Sequence, residues 1–130
     1  MVFADTSFWV ALGNQRDRWH EVARNLWKER PRSVVTSNHV TGETWTLLYR
    51  RCGHRAATLA ASIRHSAAVR VEHVSADLES DAWRWLEERD ERVYSFVDAT
   101  SFALMRKRGL TSVYAFDGDF SAAGFIEVRP

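Results

Sequence analysis

The sequence predicts an α/β fold, a three-layer α/β/α sandwich around a central parallel sheet of four to five strands, in one domain over residues 1–130. Three observations predict it. Val2-Phe-Ala4 and Ser112–Phe116 are short apolar runs without alternation, as strands buried on both faces read. Between the strand-like runs, apolar residues recur at helical spacing, so strands alternate with helices and the crossovers are right-handed. Both runs lead into an aspartate, Asp5 and Asp117, at the edge where open α/β sheets hold ligands.

The elements follow in order. After the first strand, Thr6 or Ser7 offers an N-cap for an apolar helix over Phe8–Leu12, broken by Gly13-Asn14. Trp19, Val22, Ala23, Leu26 and Trp27 mark a second helix from about Asp17 to Glu29, closed by Pro31. Ser33–Thr36 is a short strand. Ser37 or Asn38 caps a third helix with Val40, Thr44, Leu47 and Leu48 on one stripe, stopped by Gly53. Ala56, Leu59, Ala60, Ile63 and Ala67 outline a fourth. Val69–Val74 alternates as a more exposed strand, and Ser75 opens a fifth helix with Leu78, Ala82, Trp85 and Leu86 inward. Asp98 stands where the N-cap of a sixth helix belongs, and Arg106-Lys-Arg108 then Gly109 end it in the usual charge order. A last helical turn and Ile126–Val128 finish the chain.

Composition narrows the function classes. The 45% hydrophobic and 27% charged content excludes disorder, and a net charge of +1 leaves any nucleic-acid surface local. The basic residues are nearly all arginine, which suits bidentate phosphate contacts. One cysteine, Cys52, excludes a disulfide framework and fits the reducing cytoplasm. No basic leader and no apolar run near ~20 residues appears, so neither secretion nor membrane insertion is expected.

Four carboxylates stand at positions that charge alone does not explain. Asp5 and Asp117 end strands, Asp98 begins a helix, and Glu43 falls on the core-facing stripe of the third helix between Val40 and Leu47. An N-cap or turn role explains each aspartate singly. Glu43 is costly there without a partner, for which Arg50 or Arg106 is conceivable. In a parallel sheet Asp5 and Asp117 emerge at one edge, on strands about 4.8 Å apart if adjacent. Carboxylates so gathered repel, and a hard cation such as Mg²⁺ or Mn²⁺ resolves the conflict. Composition and spacing reach an acidic, metal-dependent site in a small α/β domain.

Beyond that point the chain resembles a known family. Asp5-Thr-Ser7, Glu43-Thr-Trp-Thr-Leu-Leu48, Ser95-Phe-Val-Asp-Ala-Thr-Ser-Phe-Ala-Leu-Met-Arg106 and Ala115-Phe-Asp-Gly-Asp-Phe120 with Ala123-Gly-Phe125 are similar to the PIN-domain ribonucleases, and within them to VapC toxins of type II toxin–antitoxin pairs. The resemblance implies an endoribonuclease using Mg²⁺ or Mn²⁺ and leaving a 5′-phosphate. Asp5, Glu43, Asp98 and Asp117 match the acidic quartet that would hold the metal and position water. Asp119 matches an additional acid, a water-mediated or second-metal ligand, and Thr6 and Ser7 match hydroxyls that orient Asp5. An RNA substrate, a VapB-type antitoxin and a homodimer are implied as partners. Two departures stand out: Gly42, where relatives often carry Asp, and Ala115, where many carry Thr or Ser. They leave open a PIN-like scaffold that binds RNA or protein without cutting.

Arg50, Arg51 and Arg55, and Arg106, Lys107 and Arg108, are candidate RNA-phosphate contacts, with solvated helix ends as the plainer reading. Trp9 and Trp83 are candidates for a dimer or antitoxin interface. The five histidines show no zinc pattern. Val113–Ser121 also resembles the opening of haloacid-dehalogenase phosphatases, but only nine residues follow it, and that fold is excluded.

Overall fold

Val2–Ala4 forms β1, all three residues buried, at the centre of a five-stranded parallel sheet. The computed structural model describes all 130 residues, Met1–Pro130. From β1 the chain runs through α1 (Thr6–Gly13) and α2 (His20–Lys28) to β2 (Val34–Ser37), then α3 (Asn38–Cys52), α4 (His54–Ile63) and β3 (Val69–Glu72). It returns through α5 (Ala76–Glu87) and α6 (Phe96–Arg108) to β4 (Ser112–Tyr114), α7 (Asp119–Ala122) and β5 (Ile126–Glu127). Strand order is β3-β2-β1-β4-β5, with Phe3 beside Val35 on one flank and Val113 on the other. Successive strands build outward on one side of β1 and then switch to the other. The crevice of such a sheet opens at that switch, beyond the carboxyl ends of β1 and β4.

Several element ends differ from the sequence reading. The N-cap of α1 is Asp5, not Thr6 or Ser7, because its own carboxylate accepts the Ser7 N–H. Residues 17–19 form a turn in which Asp17 accepts from the Trp19 N–H, so α2 starts at His20. Gly53, at φ 87°, separates α3 from α4, and α4 stops at Ile63, short of Ala67. Ser95 rather than Asp98 caps α6; Asp98 is the third helical residue and closes a capping box with Ser95. Strand β4 ends at Tyr114, so Asp117 lies in the following turn. Trp9, offered as an interface residue, is 1% exposed, and its indole N–H donates to Thr36 Oγ1 inside the core. Trp83 is 54% exposed. No helix is long and apolar enough to cross a membrane.

The core is aromatic. Phe102, four residues after Asp98 on α6, meets the rings of Trp85, Tyr94, Phe120 and Phe125 with centroids 4.9–5.6 Å apart. These contacts seat α6 and hence the position of Asp98. Phe102→Ala is expected to destabilise the fold by about 3–5 kcal/mol, read as a fall in the urea midpoint, because four rings lose a shared partner. A loss below about 1 kcal/mol contradicts that packing account.

Candidate active site

Asp5 ends β1 and caps α1 with one oxygen. Its Oδ2 accepts from the Ser7 N–H at 3.1 Å and the Ser7 hydroxyl at 2.8 Å. The Ser7 oxygen in turn accepts from the Phe116 N–H at 3.1 Å, tying the ends of β1 and β4 together. Asp5 Oδ1 is buried with no hydrogen-bond partner, and so is Thr6 Oγ1. Both residues line one cavity of about 590 Å³. Orphaned buried polar atoms facing a cavity call for a partner such as water or an ion.

Asp98 arrives from the first turn of α6, where its Oδ2 accepts from the Ser95 N–H at 3.1 Å and Ser95 Oγ accepts from the Asp98 N–H at 2.9 Å. Asp117 sits in the turn after β4, its Oδ1 accepting from the Asp119 N–H at 3.1 Å. Gly118 takes the left-handed φ of 81° that this tight turn requires. Carboxylate oxygens of Asp5, Asp98 and Asp117 all lie within 4.8 Å of one another. Glu43 lies outside this tight group but lines the same cavity from α3, half-buried. Neither Arg50 nor Arg106 pairs with it; Glu43 forms no ion pair.

Crowding shows in the protonation of the group. Burial pushes the Asp5 carboxyl up to about 8, and the charges of Asp98 and Asp117 add to the rise against the Ser7 bonds. Burial likewise lifts Asp98 to about 7, opposed by the Ser95 N–H and reinforced by Asp119 and Asp117. Asp117 is raised by burial and by the charge of Asp119, against the Asp119 N–H. Three oxygen donors this close, one orphaned, fit a hard divalent cation.

Asp119 lines the same cavity but is engaged: Arg92 Nε donates to its Oδ1 at 2.7 Å, and Arg92 Nη2 donates to the Asp117 carbonyl at 3.2 Å. Nothing in the spacing of the sequence marked Arg92, which lies in the loop before α6; Ser95 was missed as the cap although Ser95-Phe-Val-Asp98 has capping-box spacing. Among the candidate RNA contacts, Arg51 lines the acidic cavity and Arg50 lines a groove beside it. Arg55 is exposed on the first turn of α4 and lines neither. Arg106, Lys107 and Arg108 do not flank the site. They sit at the far end of α6, about 12 Å of helix beyond Asp98. There Arg106 lies over the Trp85 and Phe125 rings and Arg108 pairs with Glu72.

A family model described as the PIN domain matches residues 2–126. Over all 130 residues the chain is 69% identical to the 23S rRNA-specific endonuclease VapC20 of Mycobacterium tuberculosis, in strain H37Rv and in strain CDC 1551 alike, covering 99% of that protein. A crystal structure of Mycobacterium tuberculosis VapC20, a sarcin–ricin-loop-cleaving toxin, superposes with a TM-score of 0.98 at 68% identity, over the whole of both chains.

Free of metal, the folded state keeps protons on Asp5 and Asp98 that the unfolded chain, with its ordinary carboxyl near 3.9, has already lost. Stability of the metal-free protein therefore falls as pH rises from about 4 to about 8. Mn²⁺ competes with those protons, so it raises the melting temperature more at about pH 8 than at about pH 5.5. A melting curve that ignores millimolar Mn²⁺ at both values contradicts a metal centre here. Ser7→Ala strips Asp5 of its hydroxyl donor and leaves the Phe116 N–H unpaired, at about 1–3 kcal/mol in urea unfolding. Loss of that support should also weaken Mn²⁺ binding about 10–100-fold, read by calorimetry.

Proposed function

The chain belongs to the PIN-domain family, and from that membership we propose that it is a divalent-metal-dependent endoribonuclease of the VapC toxin kind. One observation carries the reading. Asp5, Asp98 and Asp117, from three separate stretches of chain, bring their oxygens within 4.8 Å, and Asp5 Oδ1 has no other partner. The 69% identity to a 23S rRNA-specific endonuclease makes the sarcin–ricin loop the substrate to test first.

Asp5, Asp98 and Asp117 would hold the metal, their orientation set by Ser7, Ser95 and the Asp119 N–H. Bound there, Mg²⁺ or Mn²⁺ supplies the Lewis acidity and positive charge that phosphodiester hydrolysis needs. Glu43, unpaired on the α3 wall of the cavity, orients the attacking water. Asp119, already engaged by Arg92, contributes charge from one step away. Arg51 and Arg50 offer their guanidinium groups to phosphates flanking the cut, offsetting the repulsion between an acidic pocket and RNA. Cleavage leaves a 5′-phosphate. The protein acts in the cytoplasm as a homodimer, silenced by a VapB-type antitoxin.

The decisive measurement is cleavage of a sarcin–ricin hairpin in Mn²⁺ by the wild type and by Asp98→Asn. The amide still accepts the Ser95 N–H, so the variant folds, and its rate is expected to fall at least ~10³-fold, on the scale of losing one preorganised electrostatic group. Tight RNA binding with no cleavage by either protein would replace this reading with a non-cutting scaffold.

A further inference from the structure

Beside the acidic cavity a second, shallow groove of about 600 Å³ crosses the exposed face of α3. The two adjoin, since Glu43 and Leu47 line both, and Gly42 is among the residues that line the second. A glycine inside a helix weakens it relative to alanine and normally answers to packing or to a left-handed backbone. Neither applies. Gly42 is exposed in mid-helix, is absent from the glycines with positive φ, and a Cβ built on it meets nothing within 4 Å. Gly13 shows the contrast: its Cβ would come within 2.7 Å of Leu59. Nothing in the packing requires glycine at 42, so the bare backbone there is open to a group that approaches from outside.

The walls say what kind of group that is. Arg50 stands at one end without an acidic partner. Asn38 stands at the other, its side-chain oxygen taken by the Val74 N–H at 2.8 Å, so its amide N–H groups are the part left to bind. Between them His39 presents a ring packed edge-on against Phe96, at 5.9 Å between centroids. A cation, amide donors and a flat ring beside a phosphodiester-cutting pocket match the phosphate, base edge and base face of a nucleotide.

We propose that this groove, lined by Gly42 and bounded by Arg50, His39 and Asn38, seats the RNA nucleotide next to the scissile phosphate, and that Gly42 lets that nucleotide lie against the helix backbone. The inference rests on the endoribonuclease reading above.

The test separates the two. Gly42→Ala and Gly42→Leu are made in the wild type and in Asp98→Asn, and each is read by melting temperature, by Mn²⁺-induced melting shift and by affinity for a labelled sarcin–ricin hairpin. Gly42→Ala is expected to raise the melting temperature by roughly 3–5 °C, as a better helix former in a domain of this size. The Mn²⁺ shift should stay unchanged. Hairpin affinity in the Asp98→Asn background should fall about tenfold with Ala and further with Leu, and cleavage by the otherwise wild-type protein should lose the same factor through KM. Unchanged affinity and cleavage in a stabilised Gly42→Ala protein would overturn the proposal while leaving the nuclease reading intact. So would a lowered melting temperature, which would give Gly42 a structural purpose. Loss of antitoxin binding with RNA affinity intact would assign the groove to a peptide and likewise overturn it. Should the wild type fail to cut at all, the nuclease reading falls, and hairpin affinity still decides whether RNA lies in the groove.

Discussion

Three carboxylates are held together at the carboxyl edge of the sheet although Asp98 and Asp117 drive up the proton affinity of Asp5, and Asp117 that of Asp98. The local structure around them answers that repulsion. Each acid gives one oxygen to the fold: Asp5 Oδ2 to Ser7, Asp98 Oδ2 to Ser95, Asp117 Oδ1 to the Asp119 N–H. Two of the acids lie at the starts of α1 and α6, where free N–H groups and the helix dipole favour negative charge. Those compensations are partial. Burial still leaves Asp5 protonated near neutral pH, and a cation among the three acids would relieve what repulsion remains.

The topology is what makes this crowding possible. Strands β1 and β4 are neighbours in space but about 110 residues apart in the chain, paired at Phe3–Val113 and Ala4–Tyr114. Their carboxyl ends face one crevice because the sheet is parallel and changes direction of growth at β1. Helix α6 brings Asp98 to the same point, seated by the rings around Phe102. A bond from the Phe116 N–H to Ser7 closes the seam between the two strand ends.

Much of this was legible in the residues. Unalternating apolar runs identified β1 and β4, a stripe at helical spacing identified α3, and a capping residue with the basic end before Gly109 identified α6. A turn role for Asp5 and a cap role for Asp98 looked like rivals of metal ligation, and the structure removes the rivalry: a carboxylate has two oxygens and can serve the helix with one. What stayed hidden depended on contacts between distant parts of the chain. Arg92 reaches Asp119 across 27 positions, and no local pattern records that. Trp9 reads as a surface candidate until α2 and β2 close over it. The run Arg106–Arg108 looked like a flank of the acidic site because charge runs are visible in sequence, while the length of α6 sets it apart from Asp98.

Charge, finally, is segregated although the net value is only +1. Away from the site most guanidinium groups are already satisfied. Arg84 and Arg129 pair with nearby acids, and Arg30 and Arg89 cover indole rings. Arg50, Arg51 and Arg55, gathered where α3 meets α4, pair with no acid and cover no ring. Two of them border the acidic cavity and the groove next to it. A polyanion approaching this surface therefore meets uncommitted cations before it meets the carboxylates. On the endoribonuclease reading proposed above, a divalent ion among the acids would offset part of the pocket's negative charge, and the arginines would hold the strand beside a site that otherwise repels it.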